Sequence, residues 1–448
     1  MLQLAFRSVK ERPGRFAATL LSAFLGAGIV MMFNSLHDTA AQAGIDAQSE
    51  EILSTTGGVV GSYGTLLVFF AVASTLTVNV RQRGDEIHLL RCSGATPAQI
   101  KRMIMGEAAF VAVIATTLAT LPAMLAGRLL VSSFKDSNQV ADNVDYAFGS
   151  IALSTGTSIT LLSSVGAAWL AVRRATSDPT TTAAKDAARA RWRTIGGITA
   201  LVLAAGAAAT TFAIDETEPA LMAPAAYAAV MTSIGFAVFS PHLLRALLAI
   251  YGRPIQLLAG VAGYLTVHNM RRRADQLAGI LMPMILFTGV AIATLYMQLI
   301  ASDALDANGV QKTADDKNLE SLNLVIVGII IAFACIMLIN TLYAATSYRN
   351  REFGGQRLAG ATPRQVQIMV AVESLVLTAT GVTFGTLAGL VGILPYNIVR
   401  TDTTWPEQGP ATWITVTALA ATVTFLTSLG TTRRSLQTPA VDTITAAA

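Results

Sequence analysis

RCSGATPAQIKRMIMGEA, residues 91–108, returns much later in the chain as RLAGATPRQVQIMVAVES, residues 357–374. The tetrapeptide Gly-Ala-Thr-Pro begins at residue 94 in the first copy and at residue 360 in the second, an offset of 266 residues. Three residue types recur at the same offset: arginine at Arg91 and Arg357, glutamine at Gln99 and Gln365, and glutamate at Glu107 and Glu373. A match in register over this length indicates an internal duplication.

The amino-acid composition is that of a membrane protein. Hydrophobic residues make up 53% and charged residues 13% of the 448 residues, whereas soluble domains average about 45–50% and about 25%. The two cysteines and four histidines show neither a disulfide framework nor metal-ligand spacing. The sequence therefore predicts no metal site, and no nucleophilic triad or pair of carboxylates suggests a catalytic centre.

Ten apolar runs are long enough to cross a bilayer, which takes about 20 residues in a helix. Because irregular backbone cannot face lipid, each run is predicted to be helical. The runs cover about residues 16–34, 58–80, 108–131, 150–172, 195–214, 220–240, 277–300, 321–346, 368–395 and 411–430.

The distribution of Lys and Arg predicts the orientation, because short cytoplasmic loops carry an excess of both. The loop 35–57 has no Lys or Arg and four acidic residues, and the loop 301–320 offsets Lys312 and Lys317 with five acidic residues. The alternate loops are basic, so both termini are predicted to be cytoplasmic. The basic pI reflects this bias, and we expect no nucleic-acid partner.

Two further segments repeat at nearly the same offset. LAFRSVKERPGRFA, residues 4–17, pairs with LTVHNMRRRADQLA, residues 265–278, and both are basic amphipathic stretches that lead into a span. RRATSDP, residues 173–179, pairs with RRSLQTP, residues 433–439, and both end a span with two arginines and a proline. The duplication therefore covers a unit of four spans.

These repeats predict an all-α polytopic membrane protein in three parts. Residues 1–180 form a first four-helix unit with an amphipathic N-terminal helix, 181–252 a cytoplasmic linker with a two-helix insert, and 253–448 a second four-helix unit. Equivalent points of the two units are separated by an even number of spans. The units should therefore be parallel, unlike the inverted repeats of many secondary transporters.

The repeated segment predicts a rigid cytoplasmic elbow between two membrane helices. Gly94 would end one helix, and Thr96 and Pro97 would begin the next as its N-cap and first turn. The second copy has the same residue types at Gly360, Thr362 and Pro363. A pair of elbows in a parallel duplication favours a partner with two-fold symmetry, although an ordinary capped loop is the alternative.

Glu107 and Glu373 stand where the helix after each elbow enters the membrane. An ionisable residue in a spanning helix is by default a functional candidate. The alternative is an interfacial ion pair with a nearby Arg or Lys.

The stretch EIHLLRCSGATPAQI within residues 83–108 resembles the signature of the FtsX-like permease family, membrane subunits of ABC transporters in the MacB and LolC/LolE group. LAFRSVKERPGR resembles the opening amphipathic segment of that family, and RRATSDP resembles its closing one. The resemblance covers both four-span units. The second copy departs from it, with REFGGQRLAG in place of DEIHLLRCSG, so whether the two elbows are equivalent is left open.

The resemblance implies that each elbow is a coupling helix seated in a nucleotide-binding subunit. It also implies that ATP closes two ATPase subunits, and that the elbows then shift the two halves to drive a substrate at the outer face. The residues that would carry this coupling are Gly94, Ala95, Thr96, Pro97, Gln99, Gly360, Ala361, Thr362, Pro363 and Gln365.

The chain has no ATP-binding motif of its own. A P-loop needs Gly-Lys followed by Ser or Thr, and the only lysine before a threonine is Lys312, which follows Gln311. We therefore expect no cofactor on this chain. ATP and Mg would bind to a separate cytoplasmic ABC ATPase, present in two copies.

The outer loops are too short to hold an extracellular domain. Substrate recognition is therefore predicted within or beside the membrane, where Met and Phe side chains would offer adaptable apolar contacts. The candidate residues are Met31, Met32, Phe33, Phe69 and Phe70. Packing or lipid contact is the alternative role for them.

The sequence thus predicts an ABC-transporter permease subunit that exports or extracts an amphiphilic substrate, such as an antimicrobial peptide or a lipid. The alternative is a signalling subunit that acts on a cell-wall enzyme or a sensor kinase, with a small extracellular partner docked at 301–320. A secondary transporter would need intramembrane acidic residues, and the spans hold almost none. The alanine-rich, lysine-poor composition favours a bacterial cytoplasmic membrane.

Overall fold

The computed structural model describes residues 13–54, 84–136, 140–175, 182–216, 221–307 and 349–437, residue 439, and scattered residues between 56 and 76 and between 328 and 346. Within these residues the chain is helical and contains no strand. The helices are α1 (Pro13–Ala40), α2 (Gly84–Cys92), α3 (Pro97–Asp136), α4 (Ser150–Ala175), α5 (Thr182–Thr211), α6 (Met222–Arg272), α7 (Ala274–Ala307), α8 (Asn350–Leu358), α9 (Pro363–Thr401) and α10 (Ala411–Gln437).

Eight of the described helices are long and apolar enough to cross a membrane. They coincide with eight of the ten predicted runs, which confirms a multi-pass helical membrane protein. The other two runs, 58–80 and 321–346, lie mostly outside the described residues. The count of ten spans and the parallel arrangement of the repeats therefore stay predictions, as do the three domain boundaries.

Several helices extend beyond their apolar runs. The helix that begins at Pro97 runs for 40 residues and contains Pro122, so the last part of the elbow and the following span belong to one helix. α6 is 51 residues long but is kinked at Gly260, whose φ of 55° and ψ of −133° lie outside the helical region. Glycine is the residue that adopts such a backbone at least cost.

The long helices fall into two compact units, with α1 to α4 in the first and α5 to α10 in the second. In the first unit, α1 packs on α3 and α4, and α3 packs on α4. In the second unit, α9 is central and packs on α6, α7 and α10. By their place in the repeat, α1, α3 and α4 of the first unit correspond to α7, α9 and α10 of the second. Within each unit, all three of these helices contact one another.

Small residues bring the central helices of the second unit into close contact. The Thr288 side chain of α7 occupies the space that a Cβ atom on Gly385 of α9 would need. The Thr288 hydroxyl also donates a hydrogen bond to the carbonyl oxygen of Gly381 at 3.0 Å. Such small-residue contacts and interhelical hydrogen bonds replace the hydrophobic driving force that lipid removes between helices.

Candidate functional site

Each elbow begins with a nine-residue helix that ends at a glycine in the left-handed conformation. The φ angle is 92° at Gly94 and 98° at Gly360. The backbone N–H of the residue after each glycine donates a hydrogen bond to a carbonyl oxygen of the preceding helix. Ala95 donates to Leu90 and Ala361 to Gln356, both at 2.9 Å. This is the Schellman arrangement, which satisfies the last carbonyl groups of a helix. The predicted helix stops are thereby confirmed.

Each elbow continues with the same capping box. In the first, the backbone N–H of Gln99 donates to the Thr96 hydroxyl at 3.3 Å, and the Thr96 N–H donates to the Gln99 side-chain oxygen at 2.9 Å. In the second, Thr362 and Gln365 make these two bonds at 3.3 and 2.8 Å. The threonine caps were predicted, but the reciprocal role of glutamine was missed, although the Thr-x-x-Gln spacing signals it.

The tips of the two elbows have one pattern of exposure. Around the tip only the alanines, Ala95 and Ala361, are partly buried, while the glycine, threonine, proline and glutamine of each copy are exposed. Below each tip, three apolar side chains at equivalent positions are at most 3% exposed: Ile87, Ile100 and Ile104 in the first unit, and Phe353, Val366 and Val370 in the second. Each elbow therefore presents a preformed, solvent-exposed helix start on a packed base.

The second elbow rests on the last helix of its unit. Phe353, Val366, Met369 and Val370 form one buried cluster, against which Leu429 and Leu436 of α10 pack. The Arg357 guanidinium also donates to the backbone carbonyl of Leu436 at 3.3 Å. Movement of this elbow would therefore be transmitted to α10 as well as to α9.

A chain of four alternating charges joins the two arms of the second elbow. Arg273 donates to Glu352 at 2.5 Å, Arg349 donates to the same carboxylate at 3.0 Å, and Arg349 also donates to Glu373. Burial disfavours the charge of Arg349, yet the neighbouring carboxylates raise its pKa above the ordinary value. Burial also acts to raise the pKa of Glu352, but the hydrogen bonds and charges of Arg349 and Arg273 hold it below the ordinary value.

The two glutamates that follow the elbows are both shielded from solvent, since Glu107 is 2% exposed and the Glu373 side chain 12%. Glu373 makes the ion pair that was one of its two predicted roles. The first unit carries Arg83 and Glu86 at the offset of Arg349 and Glu352, but their side chains lie outside the described residues. An ion pair of Glu373 was predicted, but its partner Arg349 and the links to Glu352 and Arg273 were not. A direct role of either glutamate in transport stays a prediction.

The predicted substrate-facing residues of α1 are buried within the first unit. Met31 is 0%, Phe33 1% and Met32 9% exposed, and Met32 and Phe33 belong to a core cluster with Leu36 and Phe134. Their described contacts are those of packing residues, and contact with a substrate stays a prediction. Phe69 and Phe70 lie outside the described residues.

The described residues include no group of His, Cys, Asp or Glu side chains that could hold a metal ion. The features present are membrane helices, two identically capped elbows and charged groups at the elbow base. Together they describe a helical membrane protein with two preformed, solvent-exposed helix starts.

Comparison with known families specifies this class further. The family described as FtsX-like permease C-terminal matches residues 58–179 and 324–440, which together make up more than half of the chain. The chain belongs to the FtsX-like permease family, in a form that carries the family domain twice. It is therefore a membrane permease subunit of an ABC transporter, and members of its family are non-catalytic subunits that work with an ABC ATPase. No curated protein matches the chain significantly.

Proposed function

We propose that this permease converts ATP hydrolysis by a separate cytoplasmic ATPase into the export or extraction of an amphiphilic substrate. The observation that carries the proposal is the pair of elbows with the same helix stop, the same capping box and the same exposure. Two preformed docking elements on one chain fit two copies of an ATPase. ATP and Mg would bind to those ATPase subunits and none to this chain.

The elbows would act as coupling helices. Because the Thr96 elbow continues directly into the span after it, a push on the elbow would be transmitted to α3. The Thr362 elbow is joined in the same way to α9, the central helix of its unit. ATP-driven closure of the partner would therefore shift α3 in the first unit and α9 in the second, because no loop separates either elbow tip from its helix.

The proposed orientation places the elbows and the opposite helix ends on different sides of the membrane. With basic loops and both termini in the cytoplasm of a bacterial cell, the elbows face the ATPase and the opposite helix ends face the outer leaflet. The described connections at those ends, between α3 and α4 and between α9 and α10, are short. Recognition beside the membrane suits a substrate that already partitions into the bilayer.

The proposal is tested by replacing one exposed residue at the tip of the first elbow. Ala98 is exposed between Pro97 and Gln99, so Ala98→Trp should leave the fold intact but obstruct docking. The full-length permease is coexpressed with an ABC ATPase and reconstituted in nanodiscs. Copurified ATPase and the ATP hydrolysis stimulated by hydrophobic peptides should fall about tenfold or more, as at a docking hot spot.

Ala141→Trp is the matched control, because Ala141 is exposed just beyond the other end of α3. It should leave both readouts unchanged. Equal loss in both variants, or no association of the wild-type chain with any ABC ATPase, would overturn the proposal. Association without stimulation by any amphiphile would favour the signalling role instead.

A further inference from the structure

The second unit holds a half-open cavity of about 360 Å³ toward the ends of α7 and α9 that lie away from the elbows. Its remaining walls are the loop 402–410 and the start of α10. The lining is mainly apolar and aromatic, and the residues that matter most are Ile292, Tyr296, Leu390, Ile393, Trp405 and Trp413. Its volume is in the usual range for small-molecule sites, about 300–1,000 Å³.

Hydrogen bonds between different elements hold the walls in place. The Tyr296 hydroxyl of α7 donates to the carbonyl of Gly409 at 3.1 Å. The indole N–H of Trp413 on α10 donates to the Thr386 hydroxyl of α9 at 2.9 Å. The polar groups of Tyr296 and Trp413 are thus hydrogen-bonded within the protein, and the apolar parts of their rings line the cavity. The cavity is therefore formed in the absence of a ligand.

The first unit carries different side chains at two positions equivalent to the cavity lining. At the repeat offsets, Ser35 corresponds to Tyr296 and Gly127 to Ile393. The Tyr146 hydroxyl donates a hydrogen bond to the Ser35 hydroxyl at 3.1 Å. A Cβ atom on Gly127 would lie only 2.5 Å from the same Tyr146 oxygen. Tyr146 therefore packs against these two small residues in the first unit, whereas the larger Tyr296 and Ile393 line the cavity in the second.

The rim of the cavity is acidic. Asp303 is exposed at the end of α7 and accepts a hydrogen bond from Gln408, a lining residue, at 2.9 Å. Asp402 and Glu407 are exposed on the loop 402–410. The nearby Arg400 donates to the backbone carbonyl of Glu216. This charge balance favours a cationic head group over an anionic one.

We infer that the cavity takes the apolar tail of a cationic amphiphile, with the cationic head beside Asp303 and Glu407. The exposed part of Trp405, 64% of its surface, offers a ring face near the head, where a cation–π contact would add to the attraction. The inference rests on the proposed function and narrows its substrate class to single-tailed cations.

The test uses the full-length permease in phosphatidylcholine nanodiscs without ATPase. The probe is a dodecylammonium ion with a diazirine at the end of its chain, and labelled peptides are mapped by mass spectrometry. Label should concentrate in residues 386–393 and 405–413. Leu390→Trp fills the cavity and should lower this labelling about tenfold or more. Leu387→Trp is the matched control, because Leu387 is 45% exposed on the same helix and does not line the cavity.

The head group is tested with a dodecyl sulfate probe of the same chain length. The sulfate probe should label the cavity several-fold less than the ammonium probe. Asp303→Asn should reduce this ratio between the labelling by the two probes. Unlabelled dodecylammonium should compete with its probe in the wild-type protein, a readout that does not depend on the folding of a variant. Equal labelling of Leu390→Trp and wild type would overturn the inference.

Three other outcomes are also decisive. Labelling by a diazirine phosphatidylcholine as strong as that by the ammonium probe would make the cavity an ordinary lipid site and overturn the inference. Because labelling needs no ATPase, its absence in a chain that still couples to ATPase would reject the cavity and keep the proposed function. Specific labelling in a chain that never couples to an ATPase would keep the cavity as a binding site and reject the proposed function.

Discussion

Arg349 and Glu373 form an ion pair across the second elbow, although 24 residues separate them in the chain. Both side chains are largely shielded from solvent, with 15% and 12% of their surfaces exposed. Glu352 binds the same arginine and also Arg273, at the end of the preceding amphipathic segment. The base of the elbow is thus fixed by charges from three separate stretches of chain.

Removing the shared cation should destabilise this base strongly. Arg349→Gln leaves Glu352 and Glu373 shielded with less compensation, and loss of one partner from a buried pair typically costs about 3–5 kcal/mol. We expect a lower unfolding temperature and faster hydrogen exchange in α8. Arg364→Gln, at an exposed arginine on the first turn of α9, is the control and should change neither. Equal effects of the two variants would show that the network is not stabilising.

The same network should make stability depend on acid pH. The pKa of Glu352 is lower in the folded protein than its ordinary value of 4.5. Ionised Glu352 therefore stabilises the fold above that value, and the contribution is lost as the pH falls through the lower folded pKa. Unfolding temperatures across this range should fall more steeply in the wild type than in Glu352→Gln. Parallel profiles would contradict the assignment.

The left-handed glycine at the elbow should not tolerate a side chain. No atom lies within 4 Å of a Cβ built on Gly360, but its φ of 98° disfavours any other residue. Gly360→Ala should cost about 1–2 kcal/mol and reduce coupling to the ATPase. Gly355→Ala is the control: it is equally open but has no positive φ, and alanine in a helix gains about 0.5–1 kcal/mol. We therefore expect Gly360→Ala to lower the unfolding temperature and Gly355→Ala to raise it. A change in the same direction in both variants would contradict the backbone explanation.

The apolar residues of α8 should divide into an anchor and a docking contact. Phe353 is 1% exposed, and the Arg349 guanidinium lies 5.1 Å from its ring centre. Phe353→Ala should cost about 3–5 kcal/mol of stability. Leu358 is 58% exposed, so Leu358→Ala should leave the unfolding temperature unchanged but weaken ATPase binding. Stability loss at Leu358, or none at Phe353, would reverse these roles.

Cys92 offers a direct test of orientation, because its thiol is exposed beside the first elbow. In a Cys335→Ser background, a membrane-impermeant maleimide should label Cys92 only after cells are opened. Glu50→Cys, in the exposed stretch after α1, should be labelled in intact cells when Cys92 is replaced by Ser. Labelling of Cys92 in intact cells would contradict a cytoplasmic elbow and the proposed function with it.

Local rules predicted the elbows well. Gly94 and Thr96 act on backbone groups within a few residues, so their roles can be inferred from spacing alone. The ion pair of Arg349 and Glu373 could not be inferred in this way, because its geometry depends on how α8 folds back on α9. Hydropathy likewise identified α1 as apolar but did not indicate that Met31 and Phe33 face inward.

The sequence by itself determined that the chain crosses the membrane repeatedly, where most of its spans lie, that its unit is duplicated, and how each elbow is capped. Only the tertiary structure decided which apolar side chains are buried, which charges pair, and that aromatic residues of α7, α10 and the loop 402–410 line a common cavity. The physical reason is that capping and span length depend on neighbouring residues. Lipid, by contrast, is as apolar as a protein interior, so hydrophobicity does not distinguish the inward face of a span from its outward face. Only packing against distant segments decides which face is buried.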